Sequence, residues 1–135
     1  MALYRLKKNK LWIIKALDRG SRRLVAWVLG SRSAATFKKL YAKVSHLTEC
    51  KYFTDDWDAF AKILPKDRHV IGKSGTIAIE QDNSNTRHHI GRMTRRTKVV
   101  SKTIEMVDMT LKLWCALTNQ DTYTLFQERA LSTFM

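Results

Sequence analysis

Acidic residues are scarce in this chain: 12 Asp and Glu stand against 25 Lys and Arg in 135 residues, giving a formal net charge of +13 and a pI near 10.1. No carboxylate occurs before Asp18, and none between Arg87 and Lys102. A phosphate-rich partner is the natural inference, because Lys and Arg that neutralise phosphates release counterions. Long apolar runs are missing too. Nothing approaches the ~18 consecutive apolar residues of a membrane span, and the first residues lack the apolar core and cleavage site of a signal peptide. The expectation is a soluble intracellular protein with no membrane partner. There are two cysteines, Cys50 and Cys115, both inside apolar patterns and without metal-ligand spacing, so they read as buried thiols of a reducing compartment and no zinc site is legible. His88 and His89 are adjacent and lack partners at i+4, which favours a solvated or phosphate-facing pair over a ligand pair. Gly72-Lys73-Ser74-Gly75 lacks the upstream glycine spacing of a phosphate-binding loop. Pro65 is the single proline. Without a linker or an internal repeat, one domain is expected.

The elements follow from hydrophobic period. Met1 to Lys10 starts with a short apolar-polar alternation and ends in Lys7-Lys8-Asn9-Lys10, a strand remnant and a turn. Leu11 to Leu17 is an almost continuous apolar run, which suits a strand covered on both faces. Asp18-Arg19-Gly20-Ser21 closes it as a tight turn, and Leu24 to Leu29 returns at hairpin distance. From Ser33 the period becomes helical: Phe37, Leu40, Tyr41, Val44 and Leu47 share a face, with Ser31 or Ser33 as cap. The opposite face, with Lys38, Lys39 and Lys43, is expected to be solvated. Cys50 to Thr54 reads as a short strand with Asp55 at its end. Asp56 to Leu64 reads as a helix capped by Asp56 and stopped by Pro65, and Arg68 to Ile71 as another strand. A helix is expected from about Ala78. Ser101 to Leu117 places Ile104, Val107, Leu111, Trp114 and Leu117 at helical spacing, with Ser101 as cap. Beyond Thr118 an irregular or weakly helical end is expected.

That order describes an α/β sheet with an antiparallel start and a parallel continuation. Active residues in such sheets gather at strand ends. A carboxylate there and another on a later helix can hold divalent ions on a phosphate, and hard oxygen ligands favour magnesium or manganese. Asp55 and Glu80 are the candidates.

Several blocks carry a family resemblance: Lys8-Asn9-Lys10-Leu11-Trp12-Ile13, Ala16-Leu17-Asp18-Arg19, Val25 to Gly30, Tyr52-Phe53-Thr54-Asp55-Asp56-Trp57, and Ile79-Glu80-Gln81-Asp82-Asn83-Ser84-Asn85-Thr86-Arg87. In that order and spacing the chain resembles the Asp-Asp-Glu transposases of the insertion sequence 1 family, over roughly its whole length to Leu117. The resemblance implies an RNase H-like mixed sheet flanked by helices, with the first strand incomplete. It implies a catalytic domain over residues 1–117 with a C-terminal tail over 118–135. The implied reaction is metal-dependent cleavage and transfer of DNA strands, with two Mg2+ or Mn2+ ions in a complete site. Double-stranded DNA, as element ends and target, is the implied partner, and a homo-oligomer the implied acting form. A prokaryotic cytoplasmic location, on the nucleoid when DNA is bound, goes with it.

Residue by residue, Asp55 matches the family's second catalytic aspartate and Glu80 its glutamate, both as catalytic and metal-holding groups. Asp56 and Asp58 are rivals in the same region. Arg87 matches the basic residue beside the glutamate, and with Arg92, Arg95, Arg96 and Lys98 it forms the expected DNA-binding set. The family's first aspartate, on the first strand, has no counterpart here: Asp18 ends the second expected strand and reads as turn chemistry. The expectation is therefore a chain resembling the C-terminal part of a longer transposase, weakly active alone. The alternative is a non-catalytic DNA-binding protein that competes with intact transposase.

Overall fold

A computed structural model describes residues 11–90 and 103–134. Its first strands are β1 (Trp12–Leu17) and β2 (Leu24–Gly30), an antiparallel hairpin in which Ile14 faces Val28 and Ala16 faces Ala26 across the ladder. Side chains of a strand alternate between faces, and here both faces are covered. Ile14, Ala16, Ala26 and Val28 join a cluster with Phe37, Leu40 and Leu64. Ile13, Trp27 and Leu29 pack instead against Leu11, Ile90, Val107 and Leu111. A hairpin buried on both sides explains why the Leu11–Leu17 run is apolar nearly throughout.

Helix α1 (Ala34–Val44) supplies the first of those covers. Ser33 caps it, its Oγ accepting from the Thr36 amide at 3.3 Å. Phe37, Leu40 and Val44 are buried, but Leu47 lies beyond the helix end and is 40% exposed, outside the stripe expected of it. Helix α2 (Asp58–Ile63) is shorter than the Asp56–Leu64 expectation. Trp57, with no side-chain cap bond, occupies the capping position in place of Asp56. The aromatic packing sets that start: Trp57 and Phe60 meet edge to face at 5.0 Å, and both lie against Phe37. Trp57 is thus half-buried and packed against the core.

Strands β3 (Tyr52–Thr54) and β4 (His69–Ile71) pair in parallel, Tyr52 opposite His69 and Thr54 opposite Ile71. The antiparallel start and the parallel continuation are both present. Among the described residues, however, they form two separate two-stranded sheets and not one continuous sheet. Side-chain packing joins them, since Tyr52 reaches the cluster around Leu40.

Helix α3 (Ile77–His89) begins one residue before the expected Ala78. Helix α4 (Ile104–Thr118) buries Val107 and Leu111 against the second face of the hairpin, and Thr103 caps it by accepting from the Met106 amide at 3.3 Å. The expected cap, Ser101, lies outside the described residues. Asp108 on α4 accepts from Trp27 Nε1 at 2.8 Å and pairs with Lys112 at 2.9 Å. The Lys112 and Trp27 hydrogen bonds hold its carboxyl below the ordinary 3.8.

The chain end differs from expectation. Residues Gln120–Phe134 form a fifteen-residue helix, α5. Asn119 starts it, its Oδ1 accepting from the Asp121 and Thr122 amides at 3.0 and 3.4 Å, and Asp121 complements the helix dipole in the first turn. Its apolar residues escaped notice because they mark no core face. None is buried, and Leu125, Phe126, Leu131 and Phe134 are all exposed. Both thiols are free and half-buried, less enclosed than expected. Among the described residues no helix is long and apolar enough to cross a membrane.

Candidate functional site

Parallel pairing sends the carboxyl ends of β3 and β4 to one side of their sheet. Asp55 follows Thr54 there, exposed, and the Gly72 amide after β4 donates to the Thr54 carbonyl at 3.0 Å. Thr54 Oγ1 lies 2.9 Å from the Asp55 carbonyl and 2.6 Å from His69 Nε2. A carbonyl can only accept, so the hydroxyl proton goes to Asp55 and His69 donates from Nε2. Both strand ends are thereby tied down immediately before Asp55. The loop after it is held by Arg32, whose guanidinium lies 5.2 Å from the Trp12 ring and 5.3 Å from the Trp57 ring.

Glu80 is linked to β3 through a short 3-10 turn, Lys73–Gly75, which leads into α3. Gly75 lies directly on β3: a Cβ there would meet Phe53 Cδ1 at 2.8 Å and Phe53 Cβ at 2.9 Å. Phe53 Cβ is fixed to the backbone and cannot swing aside. Gly75→Ala is therefore expected to push the turn off β3 and to destabilise the fold by roughly 1–3 kcal/mol, read as a lower denaturant midpoint with an unchanged m-value. Thr76, buried, closes the turn by donating to the Lys73 carbonyl at 3.0 Å. Its hydroxyl is also 3.4 Å from Glu80 Oε1, and the Glu80 amide bonds the Thr76 carbonyl at 3.0 Å. Glu80 sits in the first turn of α3, exposed.

The rotation of α3 is set from the side facing away from Glu80. Lys15, in the middle of β1, has a side chain 4% exposed and pairs with Asp82 at 2.8 Å. The same ammonium donates to Thr86 Oγ1 at 2.8 Å, and that hydroxyl donates to the Asp82 carbonyl at 2.8 Å. Asp82 and Thr86 are four residues apart and so share a face. Glu80 lies roughly 200° around the helix from Asp82, which keeps it away from β1. Half-buried Cys115 lies near this pair, and burial pushes its thiol up, with Lys15 acting in the opposite direction.

Of the other sequence-predicted residues, Arg87 is half-buried and lies seven residues, about two turns, beyond Glu80 on the same helix. Arg92, Arg95, Arg96 and Lys98 lie outside the described residues. Asp56 and Asp58 are exposed, Asp58 in the first turn of α2. Asp18 is engaged in its turn, accepting from the Gly20 and Ser21 amides at 3.2 Å and from the Ser21 hydroxyl at 2.6 Å. Those bonds, led by the Ser21 hydroxyl, lower its pKa from 3.8. Neither His88 nor His89 is buried, and His89 stacks on Trp114 at 5.5 Å. Among the described residues, no three His, Cys, Asp or Glu side chains gather in a group able to hold a metal ion.

Sequence reasoning missed Lys15, Asp82 and His69. A single lysine inside Trp-Ile-Ile-Lys-Ala-Leu was the available signal, because a charge in a strand covered on both faces needs a carboxylate.

Comparison with known proteins gives a consistent result. The family model described as IS1 transposase matches residues 3–123. The insertion element IS1 protein InsB of Shigella flexneri is 35% identical over 102 residues, covering 76% of this chain and 78% of that protein. The insertion element IS1 2 protein InsB of Escherichia coli (strain K12) is 34% identical, covering 76% of this chain and 61% of the relative. The match thus spans about three fifths of the Escherichia coli relative's length. No solved structure matches the chain.

Proposed function

Because the chain belongs to the IS1 transposase family, we propose that it takes part in metal-dependent cleavage and transfer of DNA strands at the ends of an insertion element, with Asp55 and Glu80 as acidic residues of the reacting site. The observation that carries this reading is the connection between them. Asp55 stands at the carboxyl end of β3, and Glu80 stands in the first turn of a helix whose lead-in packs on that strand. Such strand ends are where ligands bind in open α/β sheets. An RNase H-like arrangement is proposed with it, its catalytic part within residues 1–117. The setting is the prokaryotic cytoplasm, with the protein on the nucleoid and acting as a homo-oligomer.

Asp55 and Glu80 offer the hard oxygens that Mg2+ or Mn2+ takes. When bound, such ions activate an attacking oxygen and stabilise a leaving one. Two carboxylates are only part of a two-ion ligand set, and the described residues add no third to make a group. The chain's own residues have simpler roles: Asp55 presents oxygens at the end of β3 and Glu80 from the first turn of α3, and Arg87 with Arg92, Arg95, Arg96 and Lys98 neutralises DNA phosphates.

The incomplete ligand set favours a second reading, a DNA-binding regulator that does no chemistry. Mobilisation of a marked copy of the element, carried in its natural genomic context, separates the two. Movement that Asp55→Asn abolishes supports strand transfer. Binding of duplex DNA with no movement in any condition supports the regulator.

A further inference from the structure

The turn between β1 and β2 carries three arginines, Arg19, Arg22 and Arg23, all exposed. In sequence it reads as a tight turn and nothing more. In the structure it reaches both carboxylate-bearing elements. Arg19 places its guanidinium 4.0 Å above the ring of Phe53, two residues before Asp55. Arg22 Nη1 donates to Gln81 Oε1 at 2.5 Å, next to Glu80.

Three observations go beyond coincidence of place. Arg22 is the one non-glycine residue with positive φ, +57°, among the described residues. An arginine rarely adopts that conformation, and such outliers concentrate where the chain aims a side chain for use. Second, none of the three arginines has an ion pair among the described residues, where the salt bridges are Lys15–Asp82 and Lys112–Asp108. The only carboxylate in the turn, Asp18, is taken up by Gly20 and Ser21. Third, the aromatic ring and the amide hold the two guanidinium groups without neutralising them. Each stays charged, oriented and open to water on its outer side.

We propose that Arg19 and Arg22 form a phosphate clamp that seats the DNA backbone between Asp55 and Glu80. Guanidinium groups suit this because their planar donor forks match phosphate oxygens. The ligand is a duplex DNA phosphodiester backbone, held without reading sequence, since phosphate contacts position and do not specify. The clamp rests on the strand-transfer reading for its purpose, but binding can be measured without chemistry.

The test is the affinity of the full chain for a short fluorescent duplex of random sequence, measured by anisotropy over a salt series. Each phosphate contact contributes about 0.9 to the slope of log affinity against log salt. Arg19→Gln/Arg22→Gln is expected to flatten the slope by about two and to weaken binding at low salt at least tenfold. Arg129→Gln, on α5, is expected to match the parent. Arg22→Gly separates binding from folding: glycine accepts φ +57° freely, so the denaturation midpoint should not fall while the slope flattens by about one. An unchanged slope in the double variant overturns the clamp and leaves the strand-transfer reading intact. Absence of duplex binding by the parent chain, or binding of RNA in its place, overturns both.

Discussion

Glu80→Gln is expected to lower element mobilisation by about a thousandfold or more while leaving the fold as stable as the parent. On the proposed reading, the size follows from losing one charged ligand where charge develops on a phosphate, worth several kcal/mol, with each 1.36 kcal/mol amounting to a factor of ten. The unchanged stability follows from the surroundings. Glu80 is exposed and, among the described residues, its side chain makes one long contact, 3.4 Å from the Thr76 hydroxyl. Glutamine retains that contact and the helical backbone. A variant that moved the element normally would remove Glu80 from the chemistry; one that unfolded would show that the side chain serves the fold.

The second large effect is on stability. Lys15→Met is expected to cost about 2–3 kcal/mol, below the 3–5 kcal/mol typical of breaking a fully buried pair, because Asp82 keeps some solvent contact. The methionine has room for its chain, but Asp82 loses its counter-charge and Thr86 loses a donor. Lys15→Met/Asp82→Leu is expected to recover much of the loss, since replacing both members of a buried pair with apolar groups is often neutral. Calorimetry reads both. A double variant no more stable than the single one would mean that the cost came from packing and not from the stranded carboxylate. The pair also sets the rotation of α3, so the single variant should reduce mobilisation further than its stability loss alone explains.

Much of the fold could be read from period and caps. The hairpin and helices α1 and α4 were legible because their apolar residues line faces that are buried. Helix α5 was illegible for the opposite reason: its apolar residues are exposed, so no stripe distinguished them, and only Asn119 signalled a start. The start of α2 was misplaced because Asp56 is an ordinary capping residue, whereas the packing of Trp57 on Phe37 and Phe60 determines where that helix begins. For the candidate site, the blocks single out Asp55 and Glu80 as candidates. Their connection could not, because it runs through the close approach of Gly75 to Phe53 and the bond from Gly72 to Thr54, contacts that leave no periodic trace. Lys15 and Asp82 are distant in sequence, and the arginine turn acquires its meaning only when β3 and α3 stand beside it.

On the proposed reading Asp55 and Glu80 hold one ion between them. Mn2+ affinity of the parent chain, Asp55→Asn, Glu80→Gln and the double variant, measured by electron paramagnetic resonance with duplex DNA present, decides it. Two carboxylates that share an ion give non-additive losses. The prediction is that each single substitution weakens binding at least tenfold and that the double variant is little worse than either. Losses that simply add, or affinity unchanged by either substitution, would contradict a shared site.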